Sequence, residues 1–480
     1  MSLPYIIDGE TDADSTVVNA WIDRINGLND GTLPIPLAGI AGALGEWAET
    51  PGSVVDQIPG RGYSNVNNYE SVAAAMAASA MLYFPPGYHD IDPITISSSA
   101  RWILERGAIL RRADATGSAS LISIAADDIE IIGGSLDGSG VGSSTYVGLV
   151  SIGSKLADIT IRDVEFRNAG TSGITSNSGS GAAGPVTIDR CVFSDIGKHG
   201  VNLNWNYTDS SITRCVFDTI GSNAIWAGNG CARLMVAGNR LRGIGRIGIE
   251  LWEGCDDSIV SGNIIELGAD ADMGISLAGA DRMAASGNRI TVAASGPGFG
   301  IELVGGKWLS AIGNSIVGPI GMPVSVDSVE NVQIIGNTFN GAEGSSYGIG
   351  LQVIDGGSDQ TPLTVAKHVQ IIGNVFSDFT CRAIQVQTDC EDVVIQGNVF
   401  RDNTKVDLYI QQARFLTIVG NTFDCRGITG SGGDWKFMFE AEHGDGGGHI
   451  IVANRFLGDK STSGIPSGVT SIVANNYGVA

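Results

Sequence analysis

The chain has 480 residues, of which 69 are glycine, 14 are proline and 43% are hydrophobic, a composition that suits many tight turns around a long apolar core. Its 51 acidic residues outnumber the 28 lysines and arginines, and the net charge of −23 argues against nucleic acid or an anionic membrane surface as a partner. No long uninterrupted apolar stretch occurs, and the opening MSLPYIIDGE lacks the charged and apolar regions of a secretory signal, so we expect a protein made in the cytoplasm without a signal peptide.

Two short helices are predicted in the first 80 residues. The first, through VVNAWIDRINGL, carries one apolar stripe and belongs to an N-terminal segment at residues 1–31. An irregular connector, rich in Gly, Pro and Ala, follows at residues 32–62. The second helix, from about Tyr69 to Ala80, begins a domain that we place at residues 63–480, and it is followed by MLYFPPGYHDI.

From Ile212 to Asn475 the chain repeats a short phrase, an apolar pair followed by Gly-Asn or a close variant and then an apolar residue, as in IIGNTF and IIGNVF. The repeat is too short for a helical hairpin, and its Val, Ile and Phe favour strands, so we predict a solenoid whose coils stack as parallel strands about 4.8 Å apart. The Asn residues follow Gly at turns, where Asn tolerates left-handed backbone angles. We interpret them as a structural ladder of amides that bond between coils.

A second segment of each unit alternates apolar and variable residues, so successive side chains point into and out of the coil. The predicted inward stack is Val201, Ile225, Ile249, Ile275, Ile301, Val324, Ile349, Ile384 and Leu408. The predicted first outward row is Asn202, Trp226, Glu250, Ser276, Glu302, Ser325, Gly350, Gln385 and Tyr409. The predicted second outward row is Asn204, Gly228, Trp252, Ala278, Val304, Asp327, Gln352, Gln387 and Gln411.

Two parts of the chain resemble known families. The Ala-rich helix, the apolar strand and Phe-Pro-Pro-Gly in AMAASAMLYFPPG are similar to the start of the pectate-lyase-like right-handed β-helix superfamily, in which the helix covers the open end of the solenoid. Residues 3–31 resemble the openings of phage tail fibres and tailspikes. These resemblances imply an all-β fold, a right-handed single-stranded parallel β-helix of about 12 to 13 coils with a short helical N-terminal cap.

The same resemblances imply a function. β-Helical tailspikes are commonly homotrimers that bind, and often cut, a host surface polysaccharide. In the pectate-lyase-like superfamily, the strand that carries the two outward rows lines the substrate groove. We therefore expect a protein of the virion tail or the extracellular space whose partner is a bacterial polysaccharide.

Aromatic and amide side chains on the outward rows are candidate sugar contacts. Exposed indoles offer apolar faces to pyranose rings, and amides bond to hydroxyl groups. The alternative for each Trp is that a loop packs over it. The predicted contacts are Asn202, Asn204, Trp205, Trp226, Trp252, Gln352, Gln385 and Tyr409.

Glu250 and Glu302 share the first outward row with Ser276 between them, so their Cα atoms are expected two strand spacings, about 9.6 Å, apart. Inverting glycosidases hold their acid and base about 6.5 to 9.5 Å apart, and the small Ser276 leaves room for the attacking water. One carboxyl group can protonate the glycosidic oxygen while the other activates water. Asp327, diagonal to Glu302, is the third catalytic candidate. The alternative interpretation is that all three are solvated carboxylates on an acidic solenoid.

Two rival functions stay open. A polysaccharide lyase needs a base and a cation that neutralises the uronate carboxylate, and Lys198, His199, Arg246 and Arg382 lie just before outward strands. The arginine motifs of pectate lyases and the Tyr-Gly-x-Asp-Pro-His-Asp pattern of mannuronan epimerases are not recognisable. The other rival is a carbohydrate-binding adhesin without catalysis.

No zinc or redox motif appears, and two acidic clusters are candidate calcium ligands. Calcium would bind near Asp256 and Asp257 or near Asp270 and Asp272, but these clusters lack an EF-hand loop and resemble solvated turns. We therefore predict neither a metal nor another cofactor.

Overall fold

The computed structural model describes residues 62–112, 119–139, 148–176, 179, 181–293, 298–341, 349–354, 366–387, 390–404, 406–411, 413–424, 426, 437–439, 448–457 and 472–474. From Tyr63 onward the chain forms one compact unit, Tyr63–Ala480. The predicted first helix and residues 32–61 of the predicted connector at 32–62 lie outside the described residues.

The described strands form three parallel sheets of 18, 15 and 14 strands, and each coil passes through the three sheets in turn. The first sheet comprises Ser64–Asn65, Met81–Phe84, Ala100–Leu104, Ile129–Ile132, Ile159–Arg162, Val186–Asp189, Ser211–Thr213, Met235–Ala237, Ile259–Ser261, Ala284–Ser286, Ser310–Ile312, Glu330–Ile335, Lys367–Ile372, Cys390–Gln396, Ala413–Arg414, Thr417–Val419, Ile450–Val452 and Ile472–Ala474. The second sheet comprises Gly87–Ile91, Ala108–Arg112, Ser135–Asp137, Glu165–Ala169, Val192–Ile196, Val216–Ile220, Arg240–Ile244, Ile264–Leu267, Arg289–Val292, Ser315–Val317, Thr338–Asn340, Val375–Ser377, Val399–Arg401, Thr422–Asp424 and Arg455–Leu457. The third sheet comprises Ile94–Ile96, Ile122–Ile124, Gly148–Ile152, Ser172–Ser176, Val201–Asn204, Ile225–Gly228, Ile247–Trp252, Met273–Ala278, Phe299–Val304, Met322–Asp327, Ile349–Ile354, Arg382–Val386, Val406–Ile410 and Phe437–Phe439. The predicted parallel β-helix is confirmed.

The core is built from identical residue types stacked coil on coil. Ile249, Ile275 and Ile301 pair in register along the third sheet and are fully buried. In the second sheet, Phe193 and Phe217 stack with ring centroids 4.7 Å apart and an interplanar angle of 3°. In-register parallel strands place equivalent side chains about one strand spacing apart, so each buried ring finds a partner directly above it.

One inward position differs from the prediction. Val324 pairs with Leu351 and Leu351 pairs with Ile384, so Leu351 takes the place that was expected for Ile349. This strand lies in the step from Asn337 to Asn374, which spans 37 residues where the step before it spans 23. A shift of two residues leaves the alternation of faces unchanged, so the sequence pattern does not distinguish the two registers. Gln352 therefore lies in the first outward row, paired with Ser325, and not in the second.

The Asn ladder forms as a structural element. Asn314 is buried, and its Nδ2 donates to Ala285 O at 2.9 Å and to Asn337 Oδ1 at 3.0 Å, which ties its coil to both neighbours. The expected left-handed backbone at the Asn positions is wrong. It is Gly313, with φ of 63°, and the equivalent glycines that turn the chain, which leaves each Asn free to point inward.

A short helix lies at the N-terminal end of the described solenoid. After a 3₁₀ turn at Val66–Asn68, the α-helix spans Val72–Ala78, and Ser71 Oγ accepts a hydrogen bond from Ala74 N at 3.1 Å. It is shorter than the predicted 69–80 because Ser71 and Ser79 both have extended backbones. Ala75 is fully buried in the hydrophobic core. No helix among the described residues is long and apolar enough to cross a membrane.

Candidate functional site

A groove of about 520 Å³ runs across the third sheet. Its floor comes from the two outward rows of the strands Ile225–Gly228 to Met322–Asp327, which are paired in register. The lining residues are His199, Trp226, Arg246, Glu250, Trp252, Ser276, Ala278, Glu302, Val304 and Asp327. The structure thus brings all three predicted catalytic carboxylates to one groove.

Glu250 lies on the strand next to Trp226 and is only 14% exposed. Asn223 Nδ2 donates to its Oε2, and Arg246 Nη1 lies 3.9 Å from the same oxygen. Burial raises the pKa of Glu250, the Arg246 charge and the Asn223 hydrogen bond oppose that rise, and the charge of Glu302 adds to it. Arg246 and Asn223 therefore both favour the ionised form of Glu250.

Glu302 occupies the same row two strands away, with Ser276 paired to both glutamates. Ser276 is buried, and its Oγ donates to Glu302 Oε2 at 2.7 Å. Burial raises the pKa of Glu302, the Ser276 hydrogen bond opposes the rise, and the nearby Asp327 charge adds to it. Glu302 has no cation beside it in the described contacts, unlike Glu250.

Asp327 lies one strand beyond Glu302 and diagonal to it, as expected from the repeat. Val304 pairs with Asp327 while Glu302 pairs with Ser325. Ser328 Oγ donates to Asp327 Oδ1 at 2.7 Å. Asp327 therefore supplies negative charge at the Glu302 side of the groove.

His199 and Asn223 contribute to the site, although the first was considered only for a lyase and the second was missed. His199 stacks on Trp226 with ring centroids 5.8 Å apart. Burial, together with the charges of Lys198 and Arg246, lowers the pKa of His199 to about 4. Its Nδ1 is buried without a hydrogen-bond partner. Both residues lie in turns just before third-sheet strands, and no pattern in the sequence separates them from ordinary turn residues.

Trp226 and Trp252 line the groove as predicted sugar contacts, whereas Trp205 does not. Trp205 follows the end of its strand with a left-handed φ of 69° and is 42% exposed. Asn202 and Asn204 are buried, and Asn204 Nδ2 donates to Asn202 Oδ1 at 2.6 Å. The two amides are thus bonded to each other, because their side chains lie on the same face of one strand.

Gln385 and Tyr409, expected to face solvent, are buried instead. Arg382 Nη1 donates to Gln385 Oε1 at 2.8 Å, and the Arg382 guanidinium lies 3.7 Å from the centroid of the Tyr409 ring. A cation that covers an aromatic face and bonds to the neighbouring amide removes both from water. Gln352 pairs with Gln385 in the strand register.

The acidic pairs considered for calcium have other contacts. Asp257 accepts a hydrogen bond from Arg282 Nε, and Asp272 lies 3.7 Å from Arg246. Within the described ranges, no group of three or more His, Cys, Asp or Glu side chains converges as a metal ion would require.

Residues 147–339 match a family model described as a right-handed β-helix region. The match covers the strands that carry the groove, and it confirms the predicted handedness. A comparison with curated protein sequences finds no match.

Three solved structures are similar in fold over most of the chain. The mannuronan C-5 epimerase AlgE6 A-module of Azotobacter vinelandii is 14% identical, with 86% of this chain and 98% of that chain covered and a TM-score of 0.37. PfbA, a surface adhesin of Streptococcus pneumoniae, is 12% identical, with coverage of 71% and 91% and a TM-score of 0.48. Tailspike protein 3 of bacteriophage CBA120 is 13% identical, with coverage of 97% and 69% and a TM-score of 0.36. At these identities and TM-scores we draw no conclusion about function from the likeness.

Proposed function

We propose that this β-helical protein is a tailspike-like depolymerase that binds a bacterial surface polysaccharide along the third-sheet groove and hydrolyses its glycosidic bonds. The observation that carries the proposal is the pair Glu250 and Glu302. Both are partly buried with raised pKa values, they lie two strands apart in one row, and the small Ser276 separates them. Two strand spacings put their Cα atoms about 9.6 Å apart, and side chains that lean together from that separation suit the roughly 6.5 to 9.5 Å that an inverting hydrolase keeps between its two carboxyl groups.

The surroundings of the two glutamates support different roles. Arg246 and Asn223 favour the ionised form of Glu250, which suits the general base, while the Asp327 charge opposes ionisation of Glu302, which suits the general acid. In the reaction, Glu302 protonates the glycosidic oxygen as the bond to the anomeric carbon breaks. Glu250 takes a proton from the water that attacks that carbon from the opposite face.

Trp226 and Trp252 would hold the sugar rings next to this pair. Both indoles are partly exposed at the groove and lie on adjacent strands. Aromatic faces of this kind pack against the C–H faces of pyranose rings. Among the other predicted contacts whose exposure the structure describes, Trp205 is the most accessible, since Asn202, Asn204, Gln385 and Tyr409 are buried.

One observation favours a lyase as the second candidate. Arg246 lies near Glu250, and His199 beside it has a pKa of about 4, so it is a neutral imidazole at neutral pH. A cation that neutralises a uronate carboxylate and a neutral base that removes the adjacent carbon-bound proton are the two requirements of β-elimination. The product would then carry a conjugated 4,5-unsaturated uronate.

The test is incubation with a panel of bacterial capsular and O-antigen polysaccharides, following new reducing ends and the ultraviolet absorbance of unsaturated uronates. For the hydrolase we expect reducing ends without absorbance, and a loss of about 10²-fold to 10⁴-fold in Glu250→Gln and in Glu302→Gln. Glu266→Gln is the matched control, because Glu266 is a half-exposed carboxylate on the second sheet, ion-paired with Arg240 and outside the groove.

Other outcomes would support a different function. Absorbance that disappears in His199→Ala or Arg246→Ala would identify the lyase. Binding without either signal, unchanged in both glutamine variants, would identify an adhesin. Turnover that persists in Glu250→Gln and Glu302→Gln would contradict the assigned pair.

We also propose that the protein acts as a homotrimer in a virion tail or the extracellular space. The support is the resemblance of residues 3–31 to tailspike openings. Sedimentation equilibrium would then give three times the chain mass of 49.7 kDa. A monomer mass for the full chain at micromolar concentration would contradict the trimer.

A further inference from the structure

A second concave site lies on the first sheet, outside the groove. It has a volume of about 250 Å³ and is formed around Trp308, Ser310, Asn331, Gln333, His368 and Gln370. These residues come from three successive coils, on the strands Ser310–Ile312, Glu330–Ile335 and Lys367–Ile372, with Trp308 just before the first of them. None of them contributes to the predicted catalytic groove.

Trp308 lies at a corner, the turn that leads into a first-sheet strand, where the backbone conformation is unfavourable for a bulky residue. Ala284, Ser310, Gln333, Gln370 and Val394 pair in register along the first sheet, and the corner residue is the one two positions before each of them. All five corner residues have a left-handed backbone, with φ of 57° at Arg282, 61° at Trp308, 61° at Asn331, 55° at His368 and 53° at Asp392. Asn and Asp tolerate this conformation, whereas a bulky side chain is strained there. The fold therefore imposes a strained conformation on Trp308 that Asn at the same corner would relieve.

The indole is also the most conspicuous apolar group on this face. Trp308 is 60% exposed, although large apolar side chains are normally covered. Other corner residues contact charged partners on a neighbouring coil: Arg282 bonds to Asp257 of the preceding coil, and His368 Nδ1 lies 2.8 Å from Asp392 Oδ2 of the next coil. Phe415 shares this strain and exposure at an equivalent corner, so what distinguishes Trp308 is the pocket that it lines.

Next to the indole, the sheet presents a row of hydrogen-bonding groups. Ser310, Gln333 and Gln370 are directly paired on successive strands, and both glutamines are exposed. Gln333 Nε2 donates to Gln370 Oε1 at 3.4 Å, which leaves the other amide donors and acceptors turned to solvent. A flat ring beside uncharged donors and acceptors has the chemistry that recognises a pyranose ring and its hydroxyl groups.

We propose that this first-sheet pocket is a second glycan-binding site, in which Trp308 stacks on a pyranose ring and Gln333 and Gln370 bond to its hydroxyl groups. The site lies on a different sheet from the groove, so it contributes attachment to the polysaccharide and takes no part in bond cleavage. Two attachment points on one polymer raise the local concentration of sugar at the groove. The site does not depend on whether the groove is catalytic.

The test uses the full chain with the groove weakened by Trp226→Ala and Trp252→Ala, applied to a glycan array of bacterial capsular and O-antigen polysaccharides. We expect retained binding to at least one polysaccharide, and a loss of tenfold or more when Trp308→Asn is added. Because Asn suits a left-handed corner, Trp308→Asn should leave the thermal midpoint equal or higher, so loss of binding will not reflect unfolding.

Phe415→Asn is the matched control. Phe415 is an exposed aromatic at an equivalent corner, with φ of 55° and 55% exposure, but it does not line the pocket. We expect this variant to bind as well as its parent. In 5-fluorotryptophan-labelled protein, the fluorine resonance that Trp308→Asn removes should shift when oligosaccharides of the bound polysaccharide are added.

Three results would overturn the second site: no binding by the groove-weakened chain, equal binding by Trp308→Asn, or an unmoved Trp308 resonance. These results are separate from the proposed hydrolase. Failure of the hydrolase would appear as absent turnover of short oligosaccharides by the parent chain with first-sheet binding intact, whereas failure of the second site would leave the turnover of the parent chain as it is.

Discussion

At the scale of single residues, Glu250 and Glu302 in the groove have pKa values above those of ordinary carboxyl groups. Burial is the main cause of the raised pKa in both, and one hydrogen bond to each works in the opposite direction. Because a folded-state pKa that is raised favours the protonated form, their contribution to stability is present below the unfolded pKa and is lost as pH rises through the folded value. Near neutral pH the two buried carboxyl groups therefore lower the stability of the fold, and their raised pKa values keep a carboxylic acid available in the groove.

The hydrogen bonds from Ser276 and Asn223 provide a test of the assigned roles. Removing Ser276 Oγ should raise the pKa of Glu302, and removing Asn223 Nδ2 should raise the pKa of Glu250, since each bond now lowers its partner's pKa. With Glu302 as the acid, Ser276→Ala should move the basic limb of the kcat/KM profile to higher pH. With Glu250 as the base, Asn223→Ala should move the acidic limb to higher pH.

The measurement is kcat/KM against pH for the parent and the two variants on one polysaccharide. Asn229→Ala is a suitable control, because Asn229 bonds to Asn204 and does not line the groove. If Ser276→Ala moved the acidic limb and Asn223→Ala moved the basic limb, the roles of Glu302 and Glu250 would be reversed. If neither variant moved the profile, Glu250 and Glu302 would not be the two groups whose titration limits kcat/KM.

At the scale of the repeated element, the Asn ladder connects the coils through side chains as well as strands. Each buried amide both donates and accepts between neighbouring turns, for example from Asn288 Nδ2 to Asn314 Oδ1 at 3.0 Å. The backbone N of Asn288 donates to the same oxygen at 2.9 Å. Because these bonds replace water in a buried corner, a missing amide leaves several polar groups without partners.

Asn314→Ala should therefore lower the free energy of unfolding by about 3 kcal/mol or more, since it deprives donors and acceptors on both neighbouring coils of their partners. Urea unfolding followed by circular dichroism gives the measurement. Thr338→Ala, an exposed change on the adjoining second-sheet strand, should stay within about 0.5 kcal/mol of the parent. Equal effects of the two changes would mean that water takes over the role of the lost amide.

At the scale of the whole molecule, net charge opposes the approach of anionic substrates. The chain carries a net charge of −23, and Asp327 and the two glutamates face the groove. Long-range repulsion of this kind is screened by salt, whereas close contacts inside the groove are screened much less. The whole-molecule charge and the local Arg246 thus act in opposite directions on an acidic glycan.

For an anionic polysaccharide we expect KM to fall as NaCl rises from 10 to 150 mM, because the Debye length shrinks from about 30 Å to about 8 Å and the repulsion is screened. A neutral polysaccharide serves as the control and should show no change. The measurement is KM at constant pH across the salt series. A KM that rises with salt would indicate that Arg246 and its neighbours dominate the encounter.

The sequence alone determined the solenoid, its strands and the register that places Glu250, Ser276 and Glu302 in one row. Neighbouring coils of similar length and strict two-residue alternation leave little freedom in that part of the chain. The same reasoning failed at Gln352, where a longer step allowed a shift of two residues without changing the face. It also assigned the left-handed turn to Asn when the preceding Gly adopts it.

Only the tertiary structure decided which outward residues are accessible and how each is charged. Burial of Gln385 and Tyr409 depends on Arg382 folding over them, and the raised pKa values of Glu250 and Glu302 depend on the depth of the groove. The strained, exposed Trp308 likewise emerged only when successive corners were aligned. Periodicity specifies the direction in which a side chain leaves the backbone, but solvent access and electrostatic surroundings come from residues distant in the chain.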